Sequence, residues 1–445
     1  MEKQGFDLAM HYFRAFAIFS VISVHMWIVP PLEGHESMSR FLDMLRGVLF
    51  HSSTLYFVFI SGYLFHFLAQ RKFDLRTYYR KKLLNVIVPY VILSVFFTGY
   101  AFFWYSYTGE VPRFTKLATG CREFFQALLY GDVVLTYWYI PFIATIFLVS
   151  PLLLRLSEER FALLTLFTVW IPLLIPRTEL TSFFHNYAFF FPAYLLGMFY
   201  SMNRDLILAF IAKHIKILAA FSLVFTALLG INAYEEILPN IEAAYYMQKI
   251  AIGACVVHFL EKIKHIRITL LDLIATYSFA LYFLHDFILF TFQNLLFSFF
   301  GILLPESLFF VSLFTFFCEV ALCLLLIMGI KKLLGRRSRY VIGSGSGAQP
   351  ASARSVVAGR FRNAPATGLH RAGSRGKGPE ACPGAAEALS SDKAAATPRP
   401  FTSIPKTGII TWRSVNTSPQ PGTGIPSNKI SALQRLPPVF WIAFC

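Results

Sequence analysis

The chain has 445 residues, of which 56% are hydrophobic and 14% charged, and its formal net charge at pH 7 is +16. A soluble domain carries about a quarter charged residues, so the composition excludes an ordinary globular protein and points to a membrane one. The basic excess does not indicate a nucleic-acid partner, because it falls in short runs beside apolar segments, as topology signals do.

Apolar stretches long enough to cross roughly 30 Å of hydrocarbon recur through the first three quarters of the chain. They predict an all-α polytopic protein with ten spans, near 11–30, 48–69, 84–107, 136–154, 161–176, 183–200, 206–230, 246–262, 269–292 and 307–332. The first segment contains charged residues and no small-residue cleavage site follows it, so no cleavable signal peptide is expected.

In the first span, ten residues separate Arg14 from His25. Eleven steps of about 100° bring both side chains to one helix face, about 16 Å apart along the axis. Ionisable groups inside a membrane are costly and mark functional sites by default. His25 has the chemistry of a general base near neutral pH, and it can equally be a packed histidine bonded to a neighbouring helix. Arg14, near the interface, can snorkel to water.

The second span contains Tyr56-Phe-Val-Phe-Ile-Ser61-Gly62-Tyr63. Close helix approach at Gly62 outweighs a nucleophilic Ser61, which would need a base beside it. The following loop holds Arg71, Lys72, Arg76, Arg80, Lys81 and Lys82 against Asp74 alone. This run anchors topology, and it can also receive the phosphates of a nucleotide-like cofactor. Tyr137-Trp138-Tyr139-Ile140-Pro141 opens the fourth span in the manner of an interfacial aromatic belt. The ninth span carries Ser278, Tyr282, His285 and Asp286. Its adjacent polar pair either packs structurally or lines a site. His51, His66, His185 and His258 lack a motif and read as structural. The six cysteines show no zinc spacing, and no metal is expected.

Charge orients the spans. Basic clusters follow the second, eighth (Lys262, Lys264, Arg267) and tenth (Lys331, Lys332, Arg336, Arg337, Arg339) spans, whereas alternate loops carry Glu33 and Glu36, or Glu235, Glu236 and Glu242. Lysine and arginine mark the cytoplasmic side, so both ends of the membrane part are expected there. Arg14 then lies near the cytoplasmic mouth and His25 in the outer half. Near Gly343 the composition turns to Gly, Ser, Ala, Pro and Arg. The chain is expected to divide into a membrane domain, 1–342, and a disordered low-complexity tail, 343–445, which is assigned no chemistry.

The pattern resembles the integral-membrane acyltransferase family 3, which includes bacterial O-acetyltransferases of surface polysaccharides. Arg14 and His25 are similar to that family's basic-x10-His motif. Tyr56 to Tyr63 resembles its phenylalanine-rich run ending in Ser-Gly-Tyr. Tyr79 to Tyr90 resembles its basic loop running into Pro-Tyr, and Ser278 to His285 resembles its Ser-x-x-x-Tyr-x-x-His segment. His11 stands where many members are acidic, and Asn85 where a further basic residue is common. The surroundings of Tyr137–Pro141 are similar to the branch found with intercellular-adhesin polysaccharides.

The resemblance implies a multi-pass protein of the inner (plasma) membrane. It implies transfer of an acyl group, most often acetyl from acetyl-CoA as donor, to a hydroxyl of a cell-surface glycan or glycolipid. His25 and Arg14 would be catalytic, with Arg14, Arg76, Arg80, Lys81 and Lys82 meeting the donor phosphates. Ser61, Tyr63, Trp138, Tyr282 and His285 would line the acceptor side. Beside an enzyme acting within the bilayer stand two other classes: an exporter of a lipid-linked glycan, and an assembly subunit in which Arg14 and His25 only fix helix contacts.

Overall fold

The computed structural model describes residues 7–25, 36–70, 73–175, 177, 183–300 and 308–343. They are predominantly helical, and an isolated Thr115–Val134 bridge is the only β pairing among them. Helix α1 (Leu8–Val24) starts at Asp7, whose carboxylate accepts the Met10 N–H, and ends at His25. That side-chain oxygen satisfies one of the N–H groups a helix start leaves unpaired. Helices α2 (Glu36–Phe50) and α3 (Thr54–Ala69) join in one apolar span across Ser52, which has φ +59°.

Asp74 caps the short basic helix α4 (Leu75–Lys82), and hydrogen bonds from Thr77 hold its exposed carboxyl below the usual range. A π-helical turn, Leu83–Ile87, then leads into α5 (Val88–Thr108). Pro89 lacks the N–H that would bond the Asn85 carbonyl, which accounts for the widened turn. Gly343 closes on that same carbonyl. Its φ is +68°, and a Cβ there would lie 2.6 Å from the Asn85 oxygen.

After α6 (Cys121–Tyr130), a 3-10 turn (Leu135–Trp138) leads into α7 (Tyr139–Leu153). There follow α8 (Glu158–Val169), α9 (Ile171–Leu174), α10 (Phe183–Met202) and α11 (Arg204–Glu235). The last four are α12 (Ile241–Ile263), α13 (Thr269–Phe300), α14 (Leu308–Leu334) and α15 (Ser338–Ile342).

A helix stands at each of the ten expected places, but among the described residues seven segments are long and apolar enough to span. Helix α1 is apolar with 17 residues, and the rest of its expected span, 26–30, lies outside the described residues. The expected fifth span is broken: α8 stops after 12 residues, and Pro172 restarts the chain as α9.

Helix α1 lies against α3, α12 and α13, and α13 packs on α14. The closest pair is α3 and α10. A Cβ on Gly62 would collide with the Tyr194 carbonyl, and one on Gly197 with the Phe59 carbonyl. Glycine here lets the two backbones touch, as expected for Gly62. Helix α11 lies at the margin and presents Leu206, Ile217 and Leu223 outward.

Polar contacts gather at two ends. At one end, Tyr63 Oη donates to Asp7 Oδ2 (2.7 Å), Arg204 lies 3.4 Å from Asp7 and also bonds Glu261, and Lys264 reaches Glu261 at 3.1 Å. At the other, His51 pairs with Glu242 at 2.7 Å and Asn240 Nδ2 donates to the Leu173 carbonyl at 3.3 Å. The first end also carries α4 and the arginines after α14, so by the positive-inside rule it faces the cytoplasm.

Candidate active site

Helices α1 and α13 run side by side in the same direction, and three polar contacts set their register. His11 Nε2 and Asp272 Oδ1 are 3.0 Å apart, Arg14 Nη2 donates to Ser278 Oγ at 3.1 Å, and the rings of His25 and His285 lie 5.4 Å apart between centroids. Arg14 and His25 therefore both reach α13, as an eleven-step helical spacing requires. His11 pairs with a carboxylate that α13 supplies.

The outer end of this seam is a polar cluster. His285 is fully buried, and its Nδ1 stands 2.8 Å from the Tyr282 carbonyl. A carbonyl accepts only, so Nδ1 carries the proton. Nε2 has no hydrogen-bond partner and faces Asp286 Oδ1 at 3.5 Å. The other Asp286 oxygen accepts from Thr136 Oγ1 at 2.6 Å, and the Thr136 carbonyl accepts from Tyr282 Oη. Tyr137 Oη donates to the Phe283 carbonyl at 2.9 Å, which docks the 3-10 turn on α13.

One ligand-type atom from each of His25, His285 and Asp286 lies within 4.8 Å of the others. An imidazole whose Nδ1–H is held by a backbone carbonyl keeps its lone pair on Nε2, the form in which a histidine can accept a proton. Two imidazoles and a carboxylate are also donors that suit a divalent cation, a grouping that the sequence spacing did not announce.

The cytoplasmic end separates the basic loop into two sets. Arg76, Arg80 and Lys81 are exposed on α4. Lys82 turns inward, with its ammonium 3.6 Å from the Phe147 ring centroid, and it interacts electrostatically with Arg14. Tyr78 and Tyr79 fasten α4 to α7 by donating to the carbonyls of Phe147 (3.3 Å) and Leu148 (3.0 Å). Arg71 and Lys72 lie outside the described residues.

The remaining expected residues are dispersed. Ser61 Oγ lies 3.4 Å from Tyr139 Oη, whose ring meets that of Tyr282 edge-on at 5.6 Å, so Ser61 connects to the cluster through two tyrosines. Tyr63 is not brought to the cluster. Its hydroxyl belongs to the Asp7 group at the cytoplasmic end. Trp138 is half-buried between Arg177 and Phe190. His51 and His66 are satisfied by Glu242 and Ser201. Two residues carry no sequence motif and yet bear on the cluster: Thr136, and Glu319 of α14, which interacts electrostatically with Asp286. The one available signal for Glu319 was a lone carboxyl in an apolar helix.

Fold and site together are those of a multi-pass membrane protein with an acid–base cluster held between helices. The profile of a family described as an acyltransferase domain matches residues 7–328. The chain belongs to that family, membrane acyltransferase family 3, and is a membrane acyltransferase. Transport without chemistry is not favoured. No curated protein and no solved structure matches the chain significantly.

Proposed function

We propose that this acyltransferase moves an acetyl group from acetyl-CoA to a hydroxyl of a cell-surface polysaccharide or glycolipid, working in the bacterial inner (plasma) membrane. The observation that carries the proposal is the placement of Arg14 and His25 on one α13-facing seam, with cations at the cytoplasmic end and His285 with Asp286 at the other.

Each part has a task. Arg76, Arg80 and Lys81 attract the donor's phosphates at the surface, and the inward Lys82–Arg14 pair draws an anionic group to the mouth of the seam. The thioester arm extends along the seam toward His25. His25 accepts the proton of the acceptor hydroxyl as its oxygen attacks the thioester carbonyl. The carbon–sulfur bond then breaks, and the departing thiolate takes the proton from His25. The products are the ester and the free thiol, with no net proton gained or lost. His285 and Asp286 hold the imidazole and the incoming hydroxyl in place. Ser61, Tyr282 and Trp138 belong to the surroundings of the acceptor.

The test is reconstitution of the purified protein in lipid with acetyl-CoA and deacylated surface polysaccharide. Release of free thiol together with a polysaccharide mass gain of one acetyl group is expected. Acetyl-CoA left unconsumed while the glycan crosses the membrane would return the protein to the exporter class.

A further inference from the structure

The basic segment after α14 is built more firmly than a topology signal requires. The positive-inside rule reads only the number of lysines and arginines near the end of a span, and a frayed end would serve it. Here the chain turns at Gly335, whose φ is +51°, and packs as α15 against α5, α13 and the π-helical turn that follows α4. Ser338 and Ile342 are fully buried, and a Cβ on Gly343 would lie 2.8 Å from the Phe279 ring.

This fixed turn carries three arginines. Arg336 and Arg337 are exposed, and Arg339 is half-buried. The Arg339 Nε is sealed from water without a hydrogen-bond partner, and its guanidinium makes no ion pair among the described residues, lying 5.4 Å from the Tyr340 ring. Arginine has five N–H donors in a fork that fits phosphate. Held on a rigid turn with those donors unspent, Arg339 is prepared for an anion that arrives from the cytoplasm.

The turn stands at the mouth of the seam. Three consecutive residues of α13 join it there. Tyr277 Oη accepts from Lys331 Nζ at 3.2 Å, Ser278 Oγ accepts from Arg14 Nη2 at 3.1 Å, and Phe279 lies against Gly343. Two basic sets therefore meet at the π-helical turn. Arg76, Arg80 and Lys81 belong to α4, which leads into it, and Arg339 belongs to α15, which packs on it.

Coenzyme A carries phosphate at two places: the diphosphate that joins pantetheine to the nucleoside, and a monophosphate on the ribose 3′ oxygen. We propose that Lys331, Arg336, Arg337 and Arg339 form a subsite for the 3′-phosphate, while α4 and the seam take the diphosphate. This rests on the CoA-dependent transfer proposed above. The four residues lie beyond the matched family region, which ends at residue 328. Lipid headgroups are the other source of phosphate at this surface, and the experiment separates the two.

The test is binding of CoA and of 3′-dephospho-CoA to the purified protein, by titration calorimetry in vesicles of phosphatidylcholine alone. Loss of the 3′-phosphate should weaken binding about tenfold, the worth of one charge-assisted hydrogen bond. Arg339→Gln should weaken CoA by a similar factor and leave 3′-dephospho-CoA unchanged. Arg80→Gln on α4 should weaken both ligands and keep the difference between them. Equal affinity of the unaltered protein for the two ligands would overturn the subsite without recourse to any variant. So would an Arg339→Gln protein that weakens both alike or neither, or an Arg80→Gln protein that also loses the distinction. The discrimination should persist in vesicles rich in anionic phosphatidylglycerol, and its disappearance there would assign the arginines to lipid headgroups instead. If the unaltered protein discriminates but releases no thiol from acetyl-CoA, the subsite stands and the transfer function fails.

Discussion

At the residue scale, His25 and Arg14 contact different turns of α13, so the tasks proposed for them can be tested separately. His25→Ala should lower acyl transfer by about 10²–10⁴-fold, the usual worth of a positioned base, while the protein still accumulates in the membrane. Rate measurements on equal amounts of membrane protein check this. Arg14→Ala should weaken donor binding, and Arg14→Lys should do so less, since charge survives while the two-pronged guanidinium is lost. A titration with acetyl-CoA distinguishes them. Exhaustive treatment with a chelator should leave the rate unchanged, because a base must keep its lone pair free. Loss of activity restored by one divalent cation would assign His25, His285 and Asp286 to a metal instead. The Arg14–His25 pair was legible in the sequence because helical spacing is local. Asp286 was legible only as a polar neighbour of His285. Its bond to Thr136 spans 150 positions, and no local pattern encodes it. The same holds for Lys82, which the sequence placed with Arg76, Arg80 and Lys81 but which the structure seats over the Phe147 ring.

At the element scale, the closest helix approach is that of α3 to α10. Gly62 and Gly197 bring α3 against α10, where a side chain on either would meet backbone. Gly62→Leu should therefore destabilise the protein by at least the roughly 1–3 kcal/mol typical of overpacking, seen as a lower unfolding temperature in detergent. Gly230→Leu on α11, where a Cβ meets nothing within 4 Å, should be tolerated. Close approach at Gly62 was readable from an isolated glycine in an aromatic run. Its partner on α10 was not, because nothing in one segment names the segment it touches. The short fifth segment shows the opposite limit. Composition marked 161–176 as one span, but Pro172 divides it into α8 and α9, since a ring that lacks an N–H interrupts the helical ladder.

At the scale of the whole molecule, the matched family region ends at residue 328 and α15 seats Gly343 on the Asn85 carbonyl. A chain ending at Gly343 should therefore keep full acyl transfer in the reconstituted assay, whereas one ending before Ser338 should lose some, because α15 contacts α5. Membrane residence, the all-helical class and the face shared by Arg14 and His25 were determined by the sequence alone. Each follows from composition or from a repeat of a few residues, and water and hydrocarbon read such patterns directly. Only the tertiary structure decided that His25 meets His285, that Thr136 holds Asp286, that Tyr63 belongs to the opposite end, and that Glu319 reaches the cluster. These contacts join helices distant in the chain, and their partners are chosen by how side chains of several helices fill space together, a property that no single segment carries.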